Sequence, residues 1–439
     1  MTWATPTRTK EFLTAAFFSV VSLFLNLWHL TKPKGFIFDE VYYAQNADSL
    51  VKHGVELQHT GAAEFIVHPP IGKWLIGIGI KLFGFNEFGW RVAAAVIGSL
   101  SVWLIYLVTR RLFDNYLLSS AAALFTVFDG LHLVHSRVAL LDIFLSFFIL
   151  LSFYLLLISR VWLVGIALGL ATATKWSGIY YILAFAMFTL YVDYRQERAM
   201  ENEEPIKTLL RNTAWKRVLQ FAVVPVITYV ASWTGWFLTS RGWDRHWSKS
   251  IISSFWHYHA EMWHFHTTLT EGHPYAANPW SWLIMGRPTS FFYASPKNCG
   301  ASTCAQEILA LGTPFLWWGA CIALFVTFGY WLARREWQSG LILLAFAAGY
   351  LPWLAIQKRT MFTFYSIAFE PFMILLLIYA LSKFLEPDES GKISRIRLYA
   401  VAMYIAAVAI NFWYFSPLYF GTVMTYSSWI HRMWIPSWI

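Results

Sequence analysis

The sequence predicts an all-α polytopic membrane protein with about 11 transmembrane helices and two long extracytoplasmic loops. Three observations lead there. Only 13% of the 439 residues are Asp, Glu, Lys or Arg, against roughly 25% in an ordinary soluble domain. Hydrophobic residues reach 58% and aromatic ones 19%, with 25 Trp, 22 Tyr and 37 Phe, which excludes a disordered chain, a coiled coil and a small disulfide scaffold. Apolar windows recur along most of the chain, and a membrane crossing needs about 20 such residues.

The first window, Phe12 to Leu30, follows Arg8 and Lys10. It is longer than the apolar core of a signal peptide and ends without a small-residue cleavage site, so it reads as the first span. Further windows fall at about 88–108, 116–134, 138–158, 161–174, 176–192, 216–238, 311–333, 339–356, 362–382 and 396–415. The 161–174 window is short, which leaves ten to twelve spans open, and its Gly165 and Gly169 allow close helix contact. A cytoplasmic N-terminus puts 17 of the 33 basic residues on inner connections, the bias that orients membrane proteins. Residues 31–87 and 239–310 then become the extracytoplasmic loops, where function is expected. In the first loop Asp39 to Val51 reads as a short amphipathic helix. Ile71 to Phe83 is too short to cross and is interrupted by Lys73 and Lys81, so it lies along the outer membrane surface. The whole chain, 1–439, reads as one transmembrane domain. Its net charge of +9 is scattered among apolar segments, so the partner it implies is the lipid bilayer and not nucleic acid.

Asp39 and Glu40 follow the first span directly. A carboxylate in a partly dry pocket holds its proton more tightly and suits a general base. The alternative is that Asp39 caps the following helix and Glu40 is its first-turn acid. In His68-Pro-Pro-Ile-Gly-Lys73 the prolines fix an extended entry that holds His68 and Lys73 rigidly. This suits a binding site, and equally a stiff turn with a snorkelling lysine. Charges at the ends of spans cost about 2.5 to 3.5 kcal/mol each at a helix centre and need partners. Arg91, Arg137, Asp142, Lys175, Lys358 and Arg359 all fall near the outer face under this topology. Together with Asp39 and His68 they suit an anionic lipid-linked substrate. Mutual pairing, for instance Arg137 with Asp142, explains them as well.

The second loop carries His257, His259, His264 and His266. On a helix 257 and 264 share a face, as do 259 and 266, which permits a metal site. The interleaved Trp, Phe and Tyr favour an interfacial helix without metal, and no metal or other cofactor is expected. His273-Pro-Tyr275 and Asn278-Pro-Trp280-Ser-Trp282 read as a rigid aromatic platform for a sugar or peptide. Cys299 and Cys304 are spaced for a short disulfide in an oxidising compartment, and Cys321 reads as a packing residue.

Seven segments, taken in order, resemble the protein O-mannosyltransferases. They are Asp39-Glu40, His68 to Lys73, Arg137 to Asp142, Lys175-Trp-Ser-Gly178, His273-Pro-Tyr, Asn278 to Trp282, and Gln357 to Phe362. The likeness runs from about residue 36 to 372 and is nearest to bacterial, actinobacterial-type members. It implies a GT-C glycosyltransferase in the plasma membrane with an extracytoplasmic active site. Such an enzyme moves mannose from a polyprenyl phosphate mannose donor to Ser or Thr of secreted or membrane protein acceptors. By the same resemblance Asp39 is the catalytic base and Glu40 its neighbour. Arg91, Lys175 and Arg359 are expected on the donor phosphate, and His68, Lys73, Arg137, Asp142, His273, Tyr275 and Trp280 on substrate. Eukaryotic members insert a β-trefoil MIR domain in the later loop, which is too short here to hold one. Glu370 stands where an uncharged residue is expected. Two other readings stay open, the same chemistry on a lipid or glycan acceptor and a transporter lined by the outward charges.

Overall fold

The computed structural model describes residues 8–201, 203–297, 299–389 and 391–439. The chain opens with α1 (Arg8–Leu27), crosses the first loop through α2 (Glu40–His53) and α3 (Ile71–Phe83), and returns along α4 (Glu87–Phe113). Next come α5 (Tyr116–Val127), α6 (Gly130–His135), α7 (Asp142–Leu157), α8 (Val161–Thr172) and α9 (Ile179–Ala199). After α10 (Pro205–Asn212) one window is built in pieces: α11 (Ala214–Val218), a π turn, α12 (Val224–Ser232) and α13 (Thr234–Leu238). The second loop holds α14 (Ile251–Thr268) and the strands β1 (Thr289–Ala294) and β2 (Cys304–Ala310). The chain then runs through α15 (Pro314–Arg334), α16 (Trp337–Ala355), a 3-10 segment Thr363–Ala368, α17 (Glu370–Phe384) and α18 (Arg395–Phe420). It closes with β3 (Met424–Thr425) and α19 (Tyr426–Ile430).

Among the described residues six helices are long and apolar enough to cross a membrane: α1, α4, the Trp176–Ala199 helix, α15, α16 and α18. The other five expected windows fall on shorter or interrupted helices. The 116–134 window breaks where Asp129 is buried and accepts from the Thr313 amide at 2.9 Å and the Trp317 indole at 3.0 Å. One expectation is amended: β1, β2 and β3 form a small antiparallel sheet, so the chain is not helical throughout. Thr289-Ser-Phe-Phe-Tyr-Ala is rich in aromatic and β-branched residues that suit a pleated surface. Cys299 and Cys304 are joined by a disulfide beside β2.

Local chemistry sets the element ends. The Asn86 side chain caps α4 by accepting from the Gly89 amide at 3.0 Å, and α2 stops at Gly54, whose φ of +76° costs glycine little. Polar and small residues bind neighbouring helices. Asn26 of α1 donates to the Ala95 carbonyl at 3.2 Å and to Ser99 at 3.0 Å on α4. On α8 a Cβ at Gly165 would lie 2.1 Å from the Gln220 carbonyl oxygen, and one at Gly169 would lie 2.6 Å from the Thr228 side chain. Any larger residue would push α12 away.

The two long loops meet at one end of the bundle. The Ile66 amide donates to the Tyr258 hydroxyl at 3.1 Å, and Val55, Ile66, Trp233, Trp236, Tyr258 and Met262 form a small core of their own. Thus α14 is seated over the gap between α8, α9 and α12, and that gap is where the cavity lies.

Candidate active site

A cavity of about 710 Å³ opens among α7, α8, α9, α12, α14 and α16. Leu145, Ile179, Ile182, Val226 and Ile356 give the cavity an apolar lining, while Asp142, Lys175, Arg359, His68 and His266 add polar groups to the same space. The sequence builds this polar end from three directions. Asp142 sits in the first turn of α7, where the helix dipole favours a carboxylate. Lys175 ends the turn after α8 and donates to both Asp142 oxygens, at 2.9 and 3.0 Å. Its Nζ also lies 4.9 Å from the Tyr365 ring centre and 6.0 Å from that of Phe364, within cation–π reach. Arg359 follows α16, pairs with no carboxylate among the described residues, and has a buried Nε without a hydrogen-bond partner.

Asp39 is half-buried beside this end and does not itself line the cavity. It occupies the cap position of α2 with Glu40 in the first turn, as the alternative has it, yet its side chain makes no capping hydrogen bond. Burial pushes its carboxyl up to about 6; nearby Lys175 pulls the other way and Asp142 adds to the rise. Burial, reinforced by Lys175, His266 and Arg359, holds His68 well below the usual imidazole range. Burial and then Arg359 push His266 down to about 4. Both rings are therefore neutral near pH 7. His266 Nε2 lies 2.7 Å from the Val67 carbonyl and must donate to it, which fixes the tautomer. Behind them the Trp176 indole donates to the Tyr229 hydroxyl at 2.9 Å. Tyr229 in turn donates to His259 Nε2 at 2.9 Å, since His259 Nδ1 faces the Phe255 carbonyl at 2.8 Å.

The structure thus brings together Asp39, His68, Asp142, Lys175 and Arg359, and sets the other expected residues elsewhere. Arg91 and Glu40 are fully buried against each other. Arg91 gives Nε and Nη2 to the Glu40 oxygens, both at 2.8 Å, and its other donors to the carbonyls of Leu30, Pro33 and Gly35 at 3.0 Å. All five guanidinium hydrogens are committed, so Arg91 is a brace and has none left for a phosphate. Glu40 additionally accepts from the Ile37 and Ala139 amides at 3.0 Å, which removes it from the chemistry. Lys73 is buried on Glu56 at 2.7 Å and the His68 carbonyl at 3.0 Å. Arg137 does not pair with Asp142; it donates to the carbonyls of Leu25, Asn26 and Trp28 and so satisfies the orphan carbonyls that end α1. Neither lines the cavity, although both were expected on substrate.

His273, Tyr275 and Trp280 lie outside the cavity. His273 packs edge-on against Phe362 at 4.9 Å, Tyr275 lies under Arg287, and Trp280 is exposed. The four loop histidines diverge: His257 bonds Asp244 at 3.1 Å, His259 and His266 turn to the cavity, and His264 faces out. Among the described residues no group of three His, Cys, Asp or Glu side chains is placed to hold a metal ion. Glu370 is buried with its Oε2 3.9 Å from His132 Nδ1, and nothing in the structure explains a carboxyl group there. Sequence reasoning did not place His266, Tyr229, Trp176 and Tyr365 in one cavity. Two signals were available: Trp176 directly follows Lys175, and His259 and His266 share the helix face that turns to the cavity.

Two family models match, one for dolichyl-phosphate-mannose-protein mannosyltransferase over residues 67–210 and one for the C-terminal four-TMM region of protein-O-mannosyltransferase over 251–438. A Mycobacterium tuberculosis polyprenol-phosphate-mannose–protein mannosyltransferase is 32% identical, over 96% of this chain and 90% of the relative. The chain belongs to the protein O-mannosyltransferase family. Members of this family are glycosyltransferases, and solved structures agree on the architecture. The S. cerevisiae Pmt1-Pmt2 protein O-mannosyltransferase complex bound to the sugar donor matches with a TM-score of 0.81 at 17% identity, covering 98% of this chain and 93% of that one. ArnT from Cupriavidus metallidurans bound to undecaprenyl phosphate matches with a TM-score of 0.54 at 17% identity, covering 93% and 71%. These likenesses establish the GT-C fold.

Proposed function

We propose that this protein O-mannosyltransferase moves mannose from a polyprenyl phosphate mannose to Ser or Thr hydroxyls of secreted or membrane proteins. In this reading it works at the outer face of the cell membrane with its N-terminus in the cytoplasm. The observation that carries the proposal is one cavity that joins an apolar lining to a Lys175–Asp142 pair and to Arg359, which has no carboxylate partner among the described residues, with Asp39 free of a capping bond beside them. A polyprenyl chain fits the apolar lining, and its phosphate fits the two cations.

The chemistry follows from the charges. Asp39 takes the proton of the acceptor hydroxyl as the oxygen attacks the anomeric carbon, and the bond to phosphate breaks. The departing phosphate is already an anion and needs no acid, so one carboxylate suffices and the configuration inverts. This contrasts with glycosidases, which set two carboxyl groups across the sugar. Lys175 and Arg359 stabilise the negative charge that builds on the leaving group, and Asp142 orients Lys175. His68, neutral in the cavity wall, offers a hydrogen bond to the sugar. The exposed Trp280 with His273 and Tyr275 forms an acceptor-side platform.

The test uses membranes supplied with polyprenyl phosphate mannose and an acceptor peptide. Hexose on Ser or Thr of the peptide is the expected product, and its absence from Asp39→Asn membranes supports the base. Transfer by Asp39→Asn at the parent rate overturns the assignment.

A further inference from the structure

Among the described residues the Asp39 side chain has no capping hydrogen bond to aim it, while its carbonyl accepts from the Tyr42 and Tyr43 amides at 3.0 Å, so the carboxylate takes its direction from the backbone on either side. On one side Glu40 is locked by Arg91 and by the Ile37 and Ala139 amides. On the other, Phe38 has φ +49°, a left-handed backbone that a residue with a large side chain rarely adopts. Such strain persists only where the surroundings over-determine it, and here the surroundings are aromatic. The Phe38 ring stacks on Phe291 with centroids 4.6 Å apart and planes 18° apart, and meets Phe364 edge-on at 5.5 Å. Phe291 meets Phe364 in turn at 5.3 Å. Phe291 is buried on β1 in the second loop, far along the chain from Asp39. Phe364 is the same ring that lies 6.0 Å from Lys175 Nζ.

We infer that Phe291 is a positioning residue for Asp39: by stacking on Phe38 it holds the left-handed turn that points the carboxylate toward Lys175 and Asp142. The inference rests on the reading of Asp39 as the base. Without the Phe291 ring, Phe38 relaxes toward an ordinary backbone, the next peptide rotates, and Asp39 swings with it. The hairpin of the second loop therefore sets the geometry of an acid in the first, and the phosphate-binding cations are left in place.

Steady-state kinetics of the purified full chain, with polyprenyl phosphate mannose and an acceptor peptide, test this through Phe291→Ala, Phe291→Tyr and Phe38→Gly. Phe291→Ala is expected to lower kcat about 10- to 100-fold at an unchanged KM for the lipid donor, as a displaced catalytic group does. Phe291→Tyr keeps the ring and restores most of the rate. Phe38→Gly accepts the left-handed backbone without strain but loses the stacking ring and its packing, so kcat falls while the KM for the lipid donor of the folded enzyme stays at the parent value, which separates positioning from misfolding. A kcat within about twofold of the parent for both Phe291→Ala and Phe38→Gly overturns the inference. So does a loss in Phe291→Ala carried wholly by donor KM. Asp39→Asn in the same assay keeps the two readings apart. If it is inactive while both phenylalanine variants are active, only the positioning role fails; if it is active, the base assignment fails.

Discussion

Two ion pairs of similar composition sit near the same end of the helix bundle and behave in opposite ways. Arg91–Glu40 is wholly buried, and every guanidinium hydrogen is committed to Glu40 or to the carbonyls of Leu30, Pro33 and Gly35 in the loop after the first span. Lys175–Asp142 stands in a cavity wall, and its ammonium faces the rings of Tyr365 and Phe364 instead of further acceptors. The first pair fixes the backbone from which Asp39 projects; the second leaves a positive charge available to a ligand. Charge at a membrane boundary is thus not evidence of a site until its hydrogen-bond capacity has been counted.

That contrast breaks most sharply at the acid between the pairs. On the proposed reading Asp39→Asn removes the base and should lower transfer by about 10²- to 10⁴-fold, the usual contribution of such a group, with the enzyme still folded. A hexosylation assay beside thermal unfolding checks both. Lys175→Gln should cost about 10²- to 10³-fold in kcat, the scale of a lost oxyanion donor, and weaken inhibition by free polyprenyl phosphate. Arg91→Met acts on the other pair and should act on stability: an unpaired Glu40 in a dry site costs about 3 to 5 kcal/mol. Denaturant unfolding in detergent reads it, and any enzyme that stays folded should keep its donor KM.

The pH profile sharpens the comparison further. As the proposed base Asp39 must be ionised to act, and burial raises its carboxyl to about 6. The rate should therefore be level above that value and fall about tenfold per unit below it. An acidic limb centred near 4 would show the carboxylate to be solvated. The smallest effect belongs to Trp280→Ala, an exposed platform residue, which should raise the acceptor-peptide KM a few fold, on the order of one stacking contact, without moving the donor KM.

Much of this was legible in the sequence. Apolar windows translate into helices because a lipid core admits no unpaired backbone. The Gly165 and Gly169 spacing translates into close packing because only absent side chains allow it. The roles of the individual charges were not legible. Arg91, Lys73 and Arg137 were each expected on substrate, and each is instead taken up by carbonyls or a carboxylate from segments that the sequence does not place beside it.

By itself the sequence determined the solvent, the helical architecture, the position of an acid dyad after the first span, and the family. Only the tertiary structure decided which acid of the dyad is free, which cations face a shared cavity, and that a ring from the second loop braces the first. The reason is physical. Apolar burial is read from composition along one segment, whereas the availability of a charge depends on every donor and acceptor that distant segments bring within about 3 Å.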